Sequence, residues 1–299
     1  MKSEDLLDLA SKIKVATNGG IRAAHKPLLI LLTLGRIQRG KARLATYSEI
    51  EEQLVHLLSQ FGRSSAKNNP QEPFARIKND GFWETPNPEG ALTPAGSISA
   101  KALRDNNVLG GFTTEAFDLL KSESQLIQKL ADQILETHFP PSLRQDILDE
   151  VGLDFEASLS TPAKQKAKRD PAFRKKIMEA YGYRCAVCEF SVRMENTPIA
   201  LEAAHIKWFQ VGGPDIETNG LALCSLHHKL LDRGAIAINE DLKIIVSEKV
   251  DDTGTPGLQE WVFDFDGKKI RAPRNKMYRP NPVFLHWHIR EVFQSKYSK

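Results

Sequence analysis

Cysteine is scarce, with three in 299 residues. So small and odd a number excludes a disulfide-built scaffold, and a chain of this length can bury a core without one. Charge of one sign is also missing. Lys and Arg number 41 against 38 Asp and Glu, a net charge of +3. No global basic field marks a nucleic-acid binder, so any such function must rest on local clusters. Long apolar runs are absent too. The longest, Leu28 to Leu34, is interrupted by Thr33 and falls far short of the roughly 20 residues that cross a bilayer. Met1 to Lys14 alternates charge with leucine and lacks the apolar core of a signal peptide. The expectation is a cytosolic protein, in which a Cys-x-x-Cys pair favours metal ligation over a disulfide.

What is present is ordinary globular composition, 41% hydrophobic and 26% charged, in a length that suggests two domains. The expected fold class is α+β. Residues 1–153 read as a mainly helical domain, residues 154–170 as a basic linker, and residues 171–299 as a second domain. Leu6, Leu7, Leu9, Ile13 and Val15 fit one amphipathic helix. A second runs from Lys26 to Arg39 and stops at Gly40. A third covers Ser48 to Phe61, with Ser48 as N-cap and Glu51 completing a capping box. Ala66 to Pro73 reads as a loop, and Ile77 to Glu84 as a short strand or turn. Thr114 to Ile134 and Ser142 to Val151 read as further helices. Around the linker, Lys164, Lys166, Lys168, Arg169, Arg174, Lys175 and Lys176 face Asp170 alone. Such a run is either a solvated segment or a phosphate contact.

Two ligand pairs stand in the second domain, Cys185-x-x-Cys188 and Cys224-x-x-His227. Each spacing suits a tight knuckle that points two donors at one ion, and two knuckles complete the tetrahedron of a closed structural zinc site. Between them lie Leu201-Glu202-Ala203-Ala204-His205-Ile206, a candidate buried strand, and Asn219-Gly220-Leu221-Ala222-Leu223-Cys224. Gly212-Gly213-Pro214-Asp215 makes a turn-rich loop, and Leu226 to Leu231 suits a short helix that begins beside His227 and His228.

From Phe173 to the end, these blocks resemble the HNH (ββα-metal) endonuclease superfamily, in the branch with a Glu-Ala-Ala-His-Ile strand and an Asn-Gly-Leu-x-Leu-Cys return. The tail, Phe284-Leu285-His286-Trp287-His288 through Val292-Phe293, is similar to that branch's closing segment. The resemblance implies a metal-dependent DNA endonuclease with His205 as general base, Asn219 as the middle Asn and His228 as a ligand of a catalytic Mg²⁺ or Mn²⁺. A near-neutral imidazole can take a proton from water at cellular pH, a divalent cation stabilises charge on phosphate, and an Asn amide can brace the loop and hold the His205 ring. Many HNH enzymes carry an acid directly before the base. Here that position is Ala204, and Glu202, two residues earlier on the same strand face, either reaches the metal or makes a structural ion pair. His227 is assigned to zinc and His228 to the cleft. A fourth zinc ligand elsewhere would exchange those roles.

In the first domain, Ile21-Arg22-Ala23-Ala24-His25-Lys26-Pro27 precedes an apolar helix whose start favours phosphate. Glu72-Pro73-Phe74-Ala75-Arg76-Ile77-Lys78-Asn79-Asp80-Gly81-Phe82-Trp83 forms a second notable stretch. Over residues 10–85 these resemble the sulfur-binding domain of modification-dependent restriction enzymes, which reads DNA carrying a phosphorothioate. The resemblance implies that Pro73, Phe74 and Ala75 line an apolar pocket for sulfur. It also implies that Arg22, His25 and Lys26 contact DNA, with Arg76 and Lys78 beside the pocket as further DNA-binding residues.

The function expected is a type IV-like restriction endonuclease that binds phosphorothioate-modified double-stranded DNA and hydrolyses a nearby phosphodiester. One alternative is an HNH nuclease reading another mark, such as a methylated base, with Phe82 and Trp83 as an aromatic cage. An alternative of another class is a non-catalytic, zinc-stapled DNA-binding protein. No membrane partner is expected. A homodimer would ease double-strand cutting, and no residue pattern decides it.

Overall fold

The computed structural model describes residues 1–13, 24–62, 69–87, 91–93, 97–155, 172–195, 197–251, 254–255 and 257–295. Arg22, Val15 and the linker lysines fall outside them. The chain divides into two compact units, Met1–Leu159 and Ser160–Lys299. No helix among the described residues is long and apolar enough to cross a membrane.

The first unit is built from α1 (Ser3–Ser11), α2 (His25–Gln38), β1 (Leu44–Thr46), α3 (Tyr47–Phe61), α4 (Gln71–Arg76), β2 (Trp83–Glu84), α5 (Ala100–Asp105), β3 (Leu109–Phe112), α6 (Thr114–Ser122), α7 (Ser124–His138) and α8 (Pro141–Val151). Helix α2 is its centre. Leu28, Leu29, Ile30, Leu31, Leu32 and Leu34 are all at most 1% exposed, because α3, α4, α6, α7 and α8 pack around it. A helix apolar on every side belongs in a core, which is why its leucine run reads as one without spanning a membrane. Its buried Thr33 returns its hydroxyl to the Leu29 carbonyl at 2.8 Å.

A small antiparallel sheet, in the order β1-β3-β2, covers one end. It also explains two departures from expectation. Strand β1 ends at Thr46, so the helix after it starts at once. Thr46, not Ser48, is its N-cap, and Glu49, not Glu51, closes the capping box. The stretch expected as one helix from Thr114 to Ile134 is two, α6 and α7, broken at Glu123, whose backbone leaves the helical region. Phe74 lies against Tyr47 and Trp83 with centroids 5.3 and 6.2 Å away. Gly110 on β3 admits the ring, since a Cβ there would sit 2.7 Å from Phe74 Cζ.

The second unit contains α9 (Phe173–Ala180), β4 (Val192–Met194), β5 (Thr197–Ile199), β6 (Leu201–His205), β7 (Gly220–Cys224), α10 (Ser225–Asp232), β8 (Ile236–Ile238), β9 (Ile244–Val246), α11 (Leu258–Trp261) and α12 (Pro282–Glu291). Its centre is the β6–β7 hairpin followed by α10, a ββα unit. The register pairs Leu201 with Cys224, Ala203 with Ala222 and His205 with Gly220. Helix α9 packs on both strands, and Phe173, Ile177, Leu221, Leu223, Ile236 and Leu285 share the core. The closing segment is α12, started by Asn281, whose side chain accepts from the Val283 N–H. Its buried His288 donates to the Leu231 carbonyl at 2.9 Å.

Candidate active site and metal centre

The two cysteine-bearing segments meet because of backbone bonds. The 185–190 turn is closed by Cys185 N–H to the Phe190 carbonyl and Glu189 N–H to the Cys185 carbonyl, both 3.0 Å. It docks on β7 through Ala186 N–H to the Ala222 carbonyl at 2.7 Å. Cys224 ends β7 and His227 lies in the first turn of α10. The donor atoms of Cys185, Cys188, Cys224 and His227 therefore all lie within 4.8 Å of one another. Cys188 Sγ is 3.9 Å from Cys224 Sγ, and His227 Nδ1 is 3.7 Å from Cys185 Sγ and 3.1 Å from Cys224 Sγ. The ligands of a tetrahedral zinc stand roughly 3.8 Å apart at a Zn–S length of about 2.3 Å, so this donor set fits zinc. His227 Nε2 donates to the Trp261 carbonyl at 3.0 Å, which turns the Nδ1 lone pair toward the sulfurs.

This cluster occupies one end of the hairpin, where Leu201 pairs with Cys224. His205 is at the other end, opposite Gly220, about 14 Å away along the strand at a rise of about 3.4 Å per residue. An ion bound among the cysteines would join the turn, the hairpin and α10, far from the His205 ring.

His205 is held from three directions. Its Nε2–H donates to Asp215 Oδ1 at 2.7 Å. The Phe173 ring stacks on it, 4.2 Å between centroids with planes 12° apart, and Phe209 tilts against it at 6.1 Å. Gly220 makes room for this packing, because a Cβ there would stand 2.2 Å from Ile177 Cδ1 and 3.0 Å from Phe173 Cζ. Asn219 is fully buried. Its side chain accepts from Lys207 N–H at 2.8 Å and donates to the Lys207 and Pro214 carbonyls, both at 3.0 Å. These bonds tie it to the loop after β6, whereas the groups on the His205 ring are Asp215 and Phe173.

His227 and His228 are consecutive on α10 and so point about 100° apart. While His227 faces the cysteines, His228 Nδ1 meets Glu202 Oε2 at 2.6 Å and its Nε2 meets the buried Asp232 at 3.2 Å. Ser225 donates to the other Glu202 oxygen at 2.5 Å. Burial opposes a charged His228, but the hydrogen bonds it donates to Asp232 and Glu202 outweigh that and raise the ring to about 10. The His228 hydrogen bond pulls Glu202 down to about 2. Glu202 and His228 are thus brought together as an ion pair, and the two are also a nitrogen and a hard oxygen donor of the kind a divalent cation takes alongside water. Ala204, by contrast, is fully buried.

In the first unit, Lys26 and Asp80, 54 positions apart, form an ion pair of 2.5 Å with Asp80 only 3% exposed. It joins the start of α2 to the 3₁₀ turn Ile77–Asp80 that follows α4, so the two stretches singled out in the sequence meet. Pro73 and Ala75 are buried on α4, while Arg76 and Lys78 are exposed. Arg76 Nε donates to Glu72 at 2.5 Å. Phe74 is fully buried and forms core, not surface. Phe82 and Trp83, at 1% and 2% exposure, pack with Phe112 and present no aromatic cage.

Sequence reasoning missed Asp215, Asp232 and Phe173. Asp232 had a signal, since it lies four residues after His228 on a helix, the spacing at which side chains meet. Asp215 and Phe173 had none, because each reaches His205 through tertiary packing.

Comparison with known proteins gives two family matches. A ScoMcrA-like DNA sulfur-binding domain matches residues 3–156, and an HNH endonuclease domain matches residues 185–239. No curated protein matches the chain. Solved structures with similarity include the sulfur-binding domain of SprMcrA complexed with phosphorothioated DNA, at 24% identity, TM-score 0.43, and coverage of 51% of this chain and 95% of that one. The corresponding domain of ScoMcrA, also with phosphorothioated DNA, has 20% identity, TM-score 0.44, and coverage of 49% and 94%. The modification-dependent restriction endonuclease TagI has 24% identity, TM-score 0.30, and coverage of 40% and 37%. With more than half of its length matched by residues 3–156, the chain belongs to the family of ScoMcrA-like DNA sulfur-binding domains, and it carries an HNH endonuclease domain after that domain.

Proposed function

We propose that this protein is a modification-dependent, type IV-like restriction endonuclease. Its first unit binds phosphorothioate-modified DNA, and its second hydrolyses a phosphodiester nearby. The observation that carries the reading is the ββα unit in which His205, Asn219 and the Glu202–His228 pair stand on one hairpin and its helix, beside a Cys₃His knuckle, in a chain whose other half is a sulfur-binding domain.

In this reading His205 takes the proton from the attacking water as the new P–O bond forms. Asn219 keeps the loop after β6 folded against the hairpin. His228 Nδ1, on giving up the proton it now shares with Glu202, would hold a divalent cation, Mg²⁺ or Mn²⁺, together with Glu202, and Asp232 accepts from the far nitrogen of His228 and so fixes the ring. Bound there, the cation supplies Lewis-acid stabilisation of the charge that develops on the phosphate and leaving oxygens. Cys185, Cys188, Cys224 and His227 hold a structural zinc.

At the reading end, sulfur is larger and less strongly hydrated than oxygen, so an apolar pocket walled by Pro73 and Ala75, both buried in the free protein, would favour it. Arg22, His25, Arg76 and Lys78 hold the flanking phosphates, which gives affinity without sequence information, while Lys26 is paired with Asp80 and ties the two stretches together. Glu72 would repel an anion, and its pairing with Arg76 offsets that charge. The burial of Phe82 and Trp83 disfavours a base-mark reader that uses them as a cage.

The deciding experiment is cleavage of one plasmid, prepared with and without phosphorothioate linkages, in Mg²⁺ and in Mn²⁺, with His205→Ala as control. The expected result is cutting of the modified plasmid alone, and only with His205 intact. Equal cutting of both plasmids would remove the sulfur dependence. Full binding of modified DNA with no cutting under any metal would leave the binder-only alternative.

A further inference from the structure

We propose that Asp215 is the positioning residue of His205, and that Asn219 acts on the base through it. This rests on the assignment of His205 as general base. Asp215 lies ten residues beyond His205, in the loop between the paired strands, and nothing in its sequence surroundings sets it apart. Its carboxylate nevertheless accepts from His205 Nε2–H at 2.7 Å, with the two side chains only 10% and 14% exposed. The residues on both sides of it are fastened to Asn219. The Asn219 side chain donates to the Pro214 carbonyl at 3.0 Å, and the Asn219 backbone N–H donates to the Ile216 carbonyl at 2.9 Å. The same loop is closed at its start by Gly213 N–H to the Trp208 carbonyl at 2.9 Å. A Cβ on Gly213 would lie 1.8 Å from the Lys207 carbonyl oxygen, so the chain can turn this tightly only without a side chain there. Asp215 is therefore delivered to the ring by a loop with little freedom, while Phe173 sets the plane of the ring from its face.

The chemical consequence follows from proton count. A neutral imidazole carries one N–H, and an ionised carboxylate can only accept. With Asp215 on Nε2, the proton resides on Nε2 and the lone pair on Nδ1, the atom that must take the proton from water. Once it has done so, the imidazolium keeps its Nε2–H on a carboxylate that offsets its charge. An Asn in place of Asp215 loses that charge. It can also turn its own N–H toward Nε2, which moves the ring proton to Nδ1 and removes the base.

The test uses the full chain and compares Asp215→Asn, Asp215→Glu and His205→Ala for cleavage kinetics, with the ¹⁵N signature of the His205 ring read in wild type. His205→Ala identifies the resonance. Expected are an Nε2–H tautomer in wild type, a fall in kcat of about 10²-fold or more in Asp215→Asn with KM within about threefold, and recovery of most of that loss in Asp215→Glu. A kcat in Asp215→Asn that is unchanged or raised, beside an inactive His205→Ala, overturns the proposal and leaves the nuclease reading standing. An Nδ1–H tautomer in wild type overturns it independently of any activity. If His205→Ala cuts like wild type, the assignment of the base falls and the proposal with it.

Discussion

At His205 the chemistry depends on groups that differ in how they act. The Nε2–Asp215 bond sets which nitrogen carries the proton, and the Phe173 stack sets where the ring points. Replacement of His205 by Ala is expected to lower cleavage by about 10² to 10⁴-fold, the usual contribution of a positioned acid–base group. The thermal unfolding midpoint should fall modestly while the fold persists, since the ring stacks on Phe173 and pairs with Asp215. Asn219→Ala differs in kind. It strands buried backbone groups of Lys207 and Pro214, each worth about 1–3 kcal/mol when left unpaired, so it should cost both cleavage and stability in a urea titration of the second unit. A pH effect belongs to His138 at the end of α7, which burial pushes down to about 4. Its folded value lies below the ordinary one, so the folded state prefers the neutral ring. The associated stability is fully present above about pH 6.5 and is lost as pH falls from there through about 4. Urea midpoints across that range should drop in wild type and drop less in His138→Gln.

Elements in this chain start and stop where side chains satisfy their ends. Thr46 closes β1 and caps α3 in one residue, with Glu49 returning to the Thr46 backbone N–H at 2.8 Å. Thr46→Ala should cost about 1 kcal/mol, measured as a shift in the denaturation midpoint of the first unit. The leucine run of α2 and the apolar periodicity of α3 were legible because each is encoded within a few residues, and α8, expected from Ser142, begins one residue earlier at Pro141. The capping position of α3 was misplaced by two residues because β1 is only three residues long and is held by pairing with β3, more than 60 positions away. The break at Glu123 was missed for a similar reason, since α6 and α7 are both amphipathic and only their packing on α2 separates them. In the second unit, Gly220→Ala should push Ile177 and Phe173 off their positions against His205. It is expected to lower the cleavage rate and to cost about 1–3 kcal/mol by overpacking, which kinetics and melting together would read.

For the molecule as a whole, two separately packed units predict two separable behaviours. If the Cys185, Cys188, Cys224 and His227 site holds zinc as proposed, a strong chelator should abolish the unfolding transition of the second unit, because the ion would join the knuckle, the hairpin and α10, while the transition of the first unit persists. Calorimetry with and without chelator would show it, and binding of modified DNA should survive the treatment. What the sequence by itself determined are features of short range and of ordered spacing. These are the two ligand pairs, the strand bearing His205, the Asn219 return, the helix bearing His228, and the division into a helical half and an HNH half. Tertiary structure alone decided that Asp215 and Phe173 hold the His205 ring, that Glu202 and Asp232 flank His228, that Lys26 is paired with Asp80, and that Phe74, Phe82 and Trp83 are core. The physical reason is that ligand spacing and helical periodicity are properties of neighbours along the chain. A bond between loop and strand, or the burial of one aromatic over another, exists only once distant segments have packed and excluded water between them.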